Sequence, residues 1–214
     1  MTAGSDEAEN ELRSGLRALA LNLSDSQLQG LLTYRELVEK WNRRFNLLGS
    51  SELPRFVSRH LLDSLALCKQ LHGAQRVLDV GTGAGLPGLP LAIALPEIGF
   101  VLLDSNAKKT RFLFQARLAL GLDNLQIENS RVELYQSPDQ IDIVICRAFA
   151  SLSEILRLTR HCFGSDTTLL ALKGRFPAQE IAQIPEEFKI TCDRSLSIPG
   201  NDSERHVIAV RMSS

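Results

Sequence analysis

The chain has 214 residues, 44% of them apolar and 23% charged, which suits one globular domain, or one domain with a small appendage, and a full hydrophobic core. No apolar run approaches the roughly 20 residues that a membrane span requires. A net charge of −1 gives no general warrant for binding nucleic acid, although the charge is unevenly spread. The stretch 34–60 carries six Lys and Arg against three acids, and 105–117 carries four bases and no acid. Solvated helix faces or an RNA-facing surface would explain such clusters.

The opening MTAGSDEAENE holds four acids and no base, so neither a signal peptide nor a transit peptide is expected in it. Residues 1–10 read as a frayed tail, and a cytoplasmic location is expected. A helical cap follows over 11–73. In it, Ser24-Asp25-Ser26-Gln27 forms an S-x-x-Q capping box ahead of Leu28, Leu31, Leu32, Val38, Trp41 and Phe45. Gly49-Ser50-Ser51 breaks the pattern. A second helix then places Phe56, Val57, His60, Leu61, Ser64, Leu65, Cys68 and Leu71 on one side. The four cysteines show no C-x-x-C pair and no zinc-ligand spacing with the four histidines, so buried reduced thiols and no metal are expected.

From residue 74 to 214 the texture is α/β. Short β-rich runs at 76–80, 98–104, 125–128, 141–146 and 167–173 alternate with helical stretches near 87–95, 106–120 and 151–163. This rhythm predicts right-handed crossovers and a mostly parallel sheet covered on both faces. Two last strands, about 188–196 and 205–212, flank a Pro-Gly-Asn-Asp turn and should pair antiparallel at one edge.

The first strand runs into LDVGTGAGLPGLPLAIALP at 78–96. A strand ending in a glycine turn before a helix presents backbone N–H groups and a positive dipole end to a ligand. Pro87 suits the first helical position. The dinucleotide fingerprint G-x-G-x-x-G/A needs a small residue at 86, where Leu86 stands. The chain offers instead G-x-G-x-G, at Gly81, Gly83 and Gly85, with Asp79 two residues before it. A carboxylate at Asp104, closing the second strand, can accept from both hydroxyls of a ribose. That feature serves NAD and S-adenosylmethionine equally. Asp79 beside the turn favours a ligand carrying an ammonium and a sulfonium over a diphosphate.

Blocks across nearly the whole chain carry a more specific signal: NLLGS (46–50), RHLLDSL (59–65), DVGTGAGLPGLPLAI (79–93), LLDSNAKKTRFL (102–113), SRVE (130–133), CRAFASL (146–152), ALKG (171–174) and ERHVIAV (204–210). With these the chain resembles the bacterial glucose-inhibited division protein B family, the 16S ribosomal RNA guanine-N7 methyltransferases. The resemblance implies a Rossmann-like class I methyltransferase sheet of seven strands with an antiparallel edge strand and a helical N-terminal cap. It implies S-adenosylmethionine as methyl donor and, as acceptor, the guanine at rRNA position 527. It carries cofactor contacts onto Gly81, Leu86, Val132, Glu133 and Arg147, and the ribose role onto Asp104. NLLGS reads NLTS in many members, and Cys146 stands where serine is common.

Guanine N7 already presents a lone pair, so methyl transfer to it requires no general base. Cys146-Arg147-Ala148-Phe149 replaces the D/N-P-P-aromatic motif of amine methyltransferases, and no Pro-Cys pair offers a cysteine nucleophile. Positioning of the reactants remains. Arg147 is the catalytic candidate, addressing O6, a phosphate or the cofactor, with a structural ion pair as the alternative. Phe149 would stack on a base or pack in its loop. His60 and Asp63 read as a helix-to-sheet hydrogen bond or as substrate contacts, and Arg205 and His206 as edge stabilisers. Lys108, Lys109 and Arg111, together with Lys173 and Arg175, are candidate contacts to rRNA phosphates. The partner expected is 16S rRNA in the small ribosomal subunit or its assembly intermediate, not DNA, and the chain is expected to be a monomer. Three other readings are a methyltransferase acting on a small molecule or protein, an NAD-dependent oxidoreductase, and a non-catalytic RNA-binding factor.

Overall fold

A computed structural model describes residues 3–213. Helix α1 (Ala3–Ala18) occupies the stretch expected to fray. Ala8, Leu12 and Leu16 are buried at four-residue spacing, while Asp6, Glu7 and Glu11 stay exposed. The acids therefore occupy one face of a helix whose other face docks. Helix α2 (Asp25–Phe45) begins with the predicted box. Gln27 N donates to Ser24 Oγ at 3.2 Å, and Ser24 N donates to Gln27 Oε1 at 2.8 Å.

The second cap helix is not continuous. A 3₁₀ turn (Ser50–Arg55), a π-helical turn (Val57–Leu62), the single-turn helix α3 (Asp63–Leu65) and another 3₁₀ turn (Cys68–Leu71) succeed one another. The predicted inner face is nevertheless buried throughout, from Phe56 to Leu71.

Seven strands follow: β1 (Arg76–Val80), β2 (Gly99–Leu103), β3 (Leu125–Glu128), β4 (Ile143–Arg147), β5 (Thr168–Lys173), β6 (Phe188–Ser195) and β7 (His206–Met212). Their order is β3-β2-β1-β4-β5-β7-β6. β1 to β5 pair in parallel, and β7 runs antiparallel between β5 and the edge strand β6. The reversed strand thus lies one place in from the edge. The crossovers carry α4 (Gly88–Ala94), α5 (Ala107–Leu120) and α6 (Leu152–Thr159), and the short α7 (Ala178–Ile181) follows β5. α4 starts one residue later than expected, leaving Pro87 as its N-cap.

Strand alternation sorts the side chains into two cores. Val77, Phe100, Leu102, Ile143, Ile145, Leu170 and Leu172 join α1, α2, α4 and α5 in one cluster. Leu78, Val80, Val101, Leu103, Val144, Cys146, Leu169 and Ala171 meet α6 in the other. The cap shares its core with the sheet, and Gln27 Nε2 also donates to the carbonyls of Ile93 and Ala94 at the end of α4. Among the described residues no helix is long and apolar enough to cross a membrane. All four cysteines are free thiols; Cys68, Cys146 and Cys162 are buried, whereas Cys192 is exposed.

Candidate active site

Strand order reverses between β1 and β4, and ligands of open α/β sheets bind beyond the carboxyl ends of strands at such a point. The turn after β1 is held there from three sides. Gly81 N and Thr82 N donate to Leu103 O at 2.9 and 3.2 Å. Asp79 Oδ2 accepts from Thr82 Oγ1 at 2.7 Å and from Gly88 N at 2.8 Å. From the cap, Tyr34 Oη donates to Ala84 O at 2.8 Å. Gly81 has φ +70° and Gly85 φ +99°, a region that side-chain-bearing residues rarely enter. A Cβ on Gly81 would collide with the Phe149 ring, and one on Gly85 with Leu113 and Leu89.

Two clefts open around this turn. The first, of about 520 Å³, is walled by Gly81 to Ala84, Leu86, Arg147 and Lys173 from the sheet domain and by Leu47, Glu52, His60 and Asp63 from the cap. The second, of about 480 Å³, is walled by Asp104, Ser130, Val132, Glu133, Phe149 and Leu158. They share Gly81, Lys109 and Ala148. Ala148 adopts φ +51°, a left-handed conformation that costs a non-glycine residue about 1–3 kcal/mol and is concentrated at functional sites. Asp104 closes β2 with Oδ2 accepting from Gly83 N at 2.9 Å and Oδ1 from Asn106 N at 2.8 Å. Each oxygen keeps a further lone pair for a ligand hydroxyl.

Strand parity explains the charged cluster on the cap side. Arg147 and Arg205 fall on the face of Ile145 and Val207, so they meet the cap. Arg147 Nη1 lies 3.3 Å from Asp63 Oδ2 and 3.2 Å from His60 Nδ1. Arg205 Nε donates to Asp63 Oδ1 at 2.8 Å. Asp63 is 1% exposed, so its charge is balanced by two guanidinia. Burial first, then Arg147, Arg59 and Arg205, push the His60 imidazole down to about 3. A neutral ring that receives Arg147 at Nδ1 carries its proton on Nε2. Nε2 faces Glu52 Oε2 at 3.3 Å without hydrogen-bond alignment. Asp79 is raised by burial to about 6, the bonds from Thr82 and Gly88 opposing the rise. Its Oδ1 is buried without a partner.

The expected cofactor residues are brought together with two exceptions. Gly81, Gly83, Leu86 and Arg147 line the first cleft, and Asp104, Val132 and Glu133 the second. Asp79 is fully buried beneath the turn and lines neither cleft, as does Gly85, whose missing side chain makes room for α5. Of the proposed RNA contacts, Lys109 lines both clefts and lies 3.7 Å from Asp104. Lys108, Arg111 and Arg175 are exposed outside them. Lys173 also lines the first cleft, and its Nζ donates to Glu180 Oε2 at 2.7 Å and Ala150 O at 3.0 Å, fastening α7 to the β4 loop. Arg205 ties cap to sheet rather than strengthening the sheet edge, while His206 packs edge-on against Phe176. Glu52 and Tyr34 were not marked by spacing. A tyrosine hydroxyl inside an otherwise apolar stripe of α2 is the one sequence signal that singles out the latter.

Turn, acid-ended second strand, seven-stranded order and paired clefts define a Rossmann-like fold of the methyltransferase type. A methyltransferase structure from Geobacter sulfurreducens superposes with a TM-score of 0.57 at 15% identity, over 90% of this chain and 91% of that one. The profile of the GidB family, rRNA small subunit methyltransferase G, matches residues 27–208. Ribosomal RNA small subunit methyltransferase G of Nitrosococcus oceani is 47% identical over 203 residues, 95% of this chain and 94% of that protein. Its counterpart from Chromobacterium violaceum is 46% identical over 198 residues, covering 92% and 95%. The chain belongs to the GidB family.

Proposed function

We propose that the protein transfers a methyl group from S-adenosylmethionine to N7 of a guanine in 16S ribosomal RNA, at rRNA position 527 as the family resemblance implies. The observation carrying this reading is the pair of clefts joined at Gly81, Lys109 and Ala148, which suits a donor and an acceptor meeting at one point. The names of the relatives direct the acceptor side to small-subunit rRNA.

The residues present fit the cofactor. Asp104 offers carboxylate oxygens to a ribose diol, and Val132, Leu103 and Leu158 give the second cleft an apolar wall for a purine. The unpartnered Asp79 Oδ1 puts negative charge behind the turn, which favours a cationic ligand over a diphosphate. When bound, S-adenosylmethionine supplies an electrophilic methyl on sulfur.

Guanine N7 attacks with its own lone pair, in line with the bond that breaks. No proton leaves N7 first, and the residues act by placing the base. Consistent with this, His60 is neutral and its Nδ1 lone pair already receives Arg147. Arg147 is the proposed catalytic residue. Held by Asp63 and His60, it presents remaining N–H groups to guanine O6 or a phosphate. It cannot donate to N7 without blocking the nucleophile. Fixing the reactants can supply roughly 7–11 kcal/mol in favourable cases.

Purified protein incubated with methyl-labelled S-adenosylmethionine and either small subunits or protein-free 16S rRNA, both from cells lacking the protein, tests the reading. Label should appear in N7-methylguanine at one site. Label on another base or none on rRNA would refute it.

A further inference from the structure

α2 ends and α5 begins beside the mouth of the first cleft. Leu47 and Leu48, just beyond α2, wall that cleft, as does Lys109 in the first turn of α5. On this shoulder Trp41 and Phe45 stack, ring centroids 5.0 Å apart at 30°. Trp41 sets its edge against Phe112 of α5, 5.6 Å away. Phe45 remains 37% exposed, so one face of the stacked pair is open to solvent.

The charge on the two segments that carry this shoulder is of one sign. KWNRRF (40–45) and AKKTR (107–111) contain six bases and no acid. Arg43, Arg44, Lys108 and Arg111 are exposed and form no ion pair among the described residues. Glu39, the nearest upstream acid, is engaged by Arg35 at 2.7 Å.

We infer that this shoulder is a second RNA contact, in which the exposed face of Phe45 stacks on an unpaired base adjoining the target while Arg43, Arg44, Lys108 and Arg111 hold the flanking phosphates. An exposed aromatic face on helix ends that carry unpaired cations matches single-stranded RNA, which offers base faces and backbone charge together. A protein partner would leave these cations without counter-charge unless its surface were acidic. A duplex keeps its bases stacked away from the ring. The inference rests on the rRNA reading and extends the footprint from the cleft onto the cap.

Trp41 is the only tryptophan, so the shoulder reports on itself. The full-length protein is titrated with a short single-stranded purine RNA and with a duplex of equal length. Trp41 emission gives one readout and anisotropy of end-labelled RNA the other. The single strand should quench Trp41 and bind more tightly than the duplex. Phe45→Ala should weaken that binding on the order of ten-fold, and Phe45→Tyr should restore it. The double variant Arg43→Gln, Arg44→Gln should reduce the slope of log affinity against log salt by about 1–2. Unaltered emission with the single strand, or Phe45→Ala binding as tightly as the parent, overturns the inference. If the parent binds and methylates rRNA while Phe45→Ala binds equally well, only the shoulder is wrong. If the parent neither binds RNA nor methylates rRNA, the functional reading falls with it.

Discussion

Tyr34 Oη donates to Ala84 O at 2.8 Å, joining a fully buried side chain of the cap to the backbone of the glycine turn. The bond spans 50 residues of sequence and sits within the aromatic packing of Tyr34 against Phe56 and Phe112. The cap is therefore a buttress of the glycine turn as well as a wall of the first cleft.

Tyr34→Phe keeps the packing and leaves the Ala84 carbonyl without its partner, a change worth about 1–3 kcal/mol. Urea unfolding should show that loss, with weaker S-adenosylmethionine binding by calorimetry. A variant matching the parent in both would mean that the cap does not brace the turn.

Asp63 joins cap to sheet by charge, through Arg147 and Arg205. Asp63→Asn would leave two guanidinia facing a neutral amide. Because each arginine keeps about a fifth of its side-chain surface, 20% and 22%, the expected loss is about 2–3 kcal/mol, below that for a fully buried pair. The rate of methyl transfer should fall further than stability does, since Arg147 loses its anchor. Stability unchanged to within about 0.5 kcal/mol would show the network to be solvent-screened.

Asp79 gives a pH signature. Burial raises its carboxyl from 3.8 to about 6 in the native state, so the folded chain holds that proton more tightly than the unfolded chain. Its contribution to stability is full below about 3.8 and is lost as pH rises through about 6. Asp79→Asn keeps an acceptor for Gly88 N and has no proton to lose. Its stability relative to the parent should rise by about 2–3 kcal/mol between pH 4 and pH 7.5. Parallel curves across that interval would mean that the native carboxyl titrates normally.

Asp104→Ala removes the only carboxylate at the end of β2 while leaving the cleft walls in place. S-adenosylmethionine affinity should drop about 10- to 100-fold, the range for a lost charge-assisted contact. Equal affinity in the variant would remove Asp104 from the ribose role.

The inner parallel strands were legible because they are buried on both faces and so read as nearly unbroken apolar runs, while the edge strand β3 alternates buried Leu125 and Ile127 with Gln126 and Glu128; β1 and β3 match their predicted limits to the residue. The turn was legible because its glycines and Asp104 lie near one another along the chain. Helix α1 was obscured by composition. Its acids hid a stripe of Ala8, Leu12 and Leu16 that has helical spacing. The charged cluster was legible in part, as a helix-to-sheet bond of His60 and Asp63 and as the ion-pair alternative for Arg147; which groups meet was not, since Asp63, Arg147 and Arg205 are assembled by topology from three distant segments. That the Lys173 ammonium is engaged by Glu180 and Ala150 was not legible, because a position at a strand's end does not reveal which sheet face it takes. Parity with Leu169 and Ala171 settles that only after the core is known.

Whether the protein methylates guanine N7 of small-subunit rRNA is decided by a modification map of 16S rRNA from cells with and without it. Cells lacking the protein should lose one N7-methylguanine from the small subunit, and a copy carrying Tyr34, Asp104 and Arg147 should restore it. An unchanged set of N7-methylguanines in the deletion would exclude this activity.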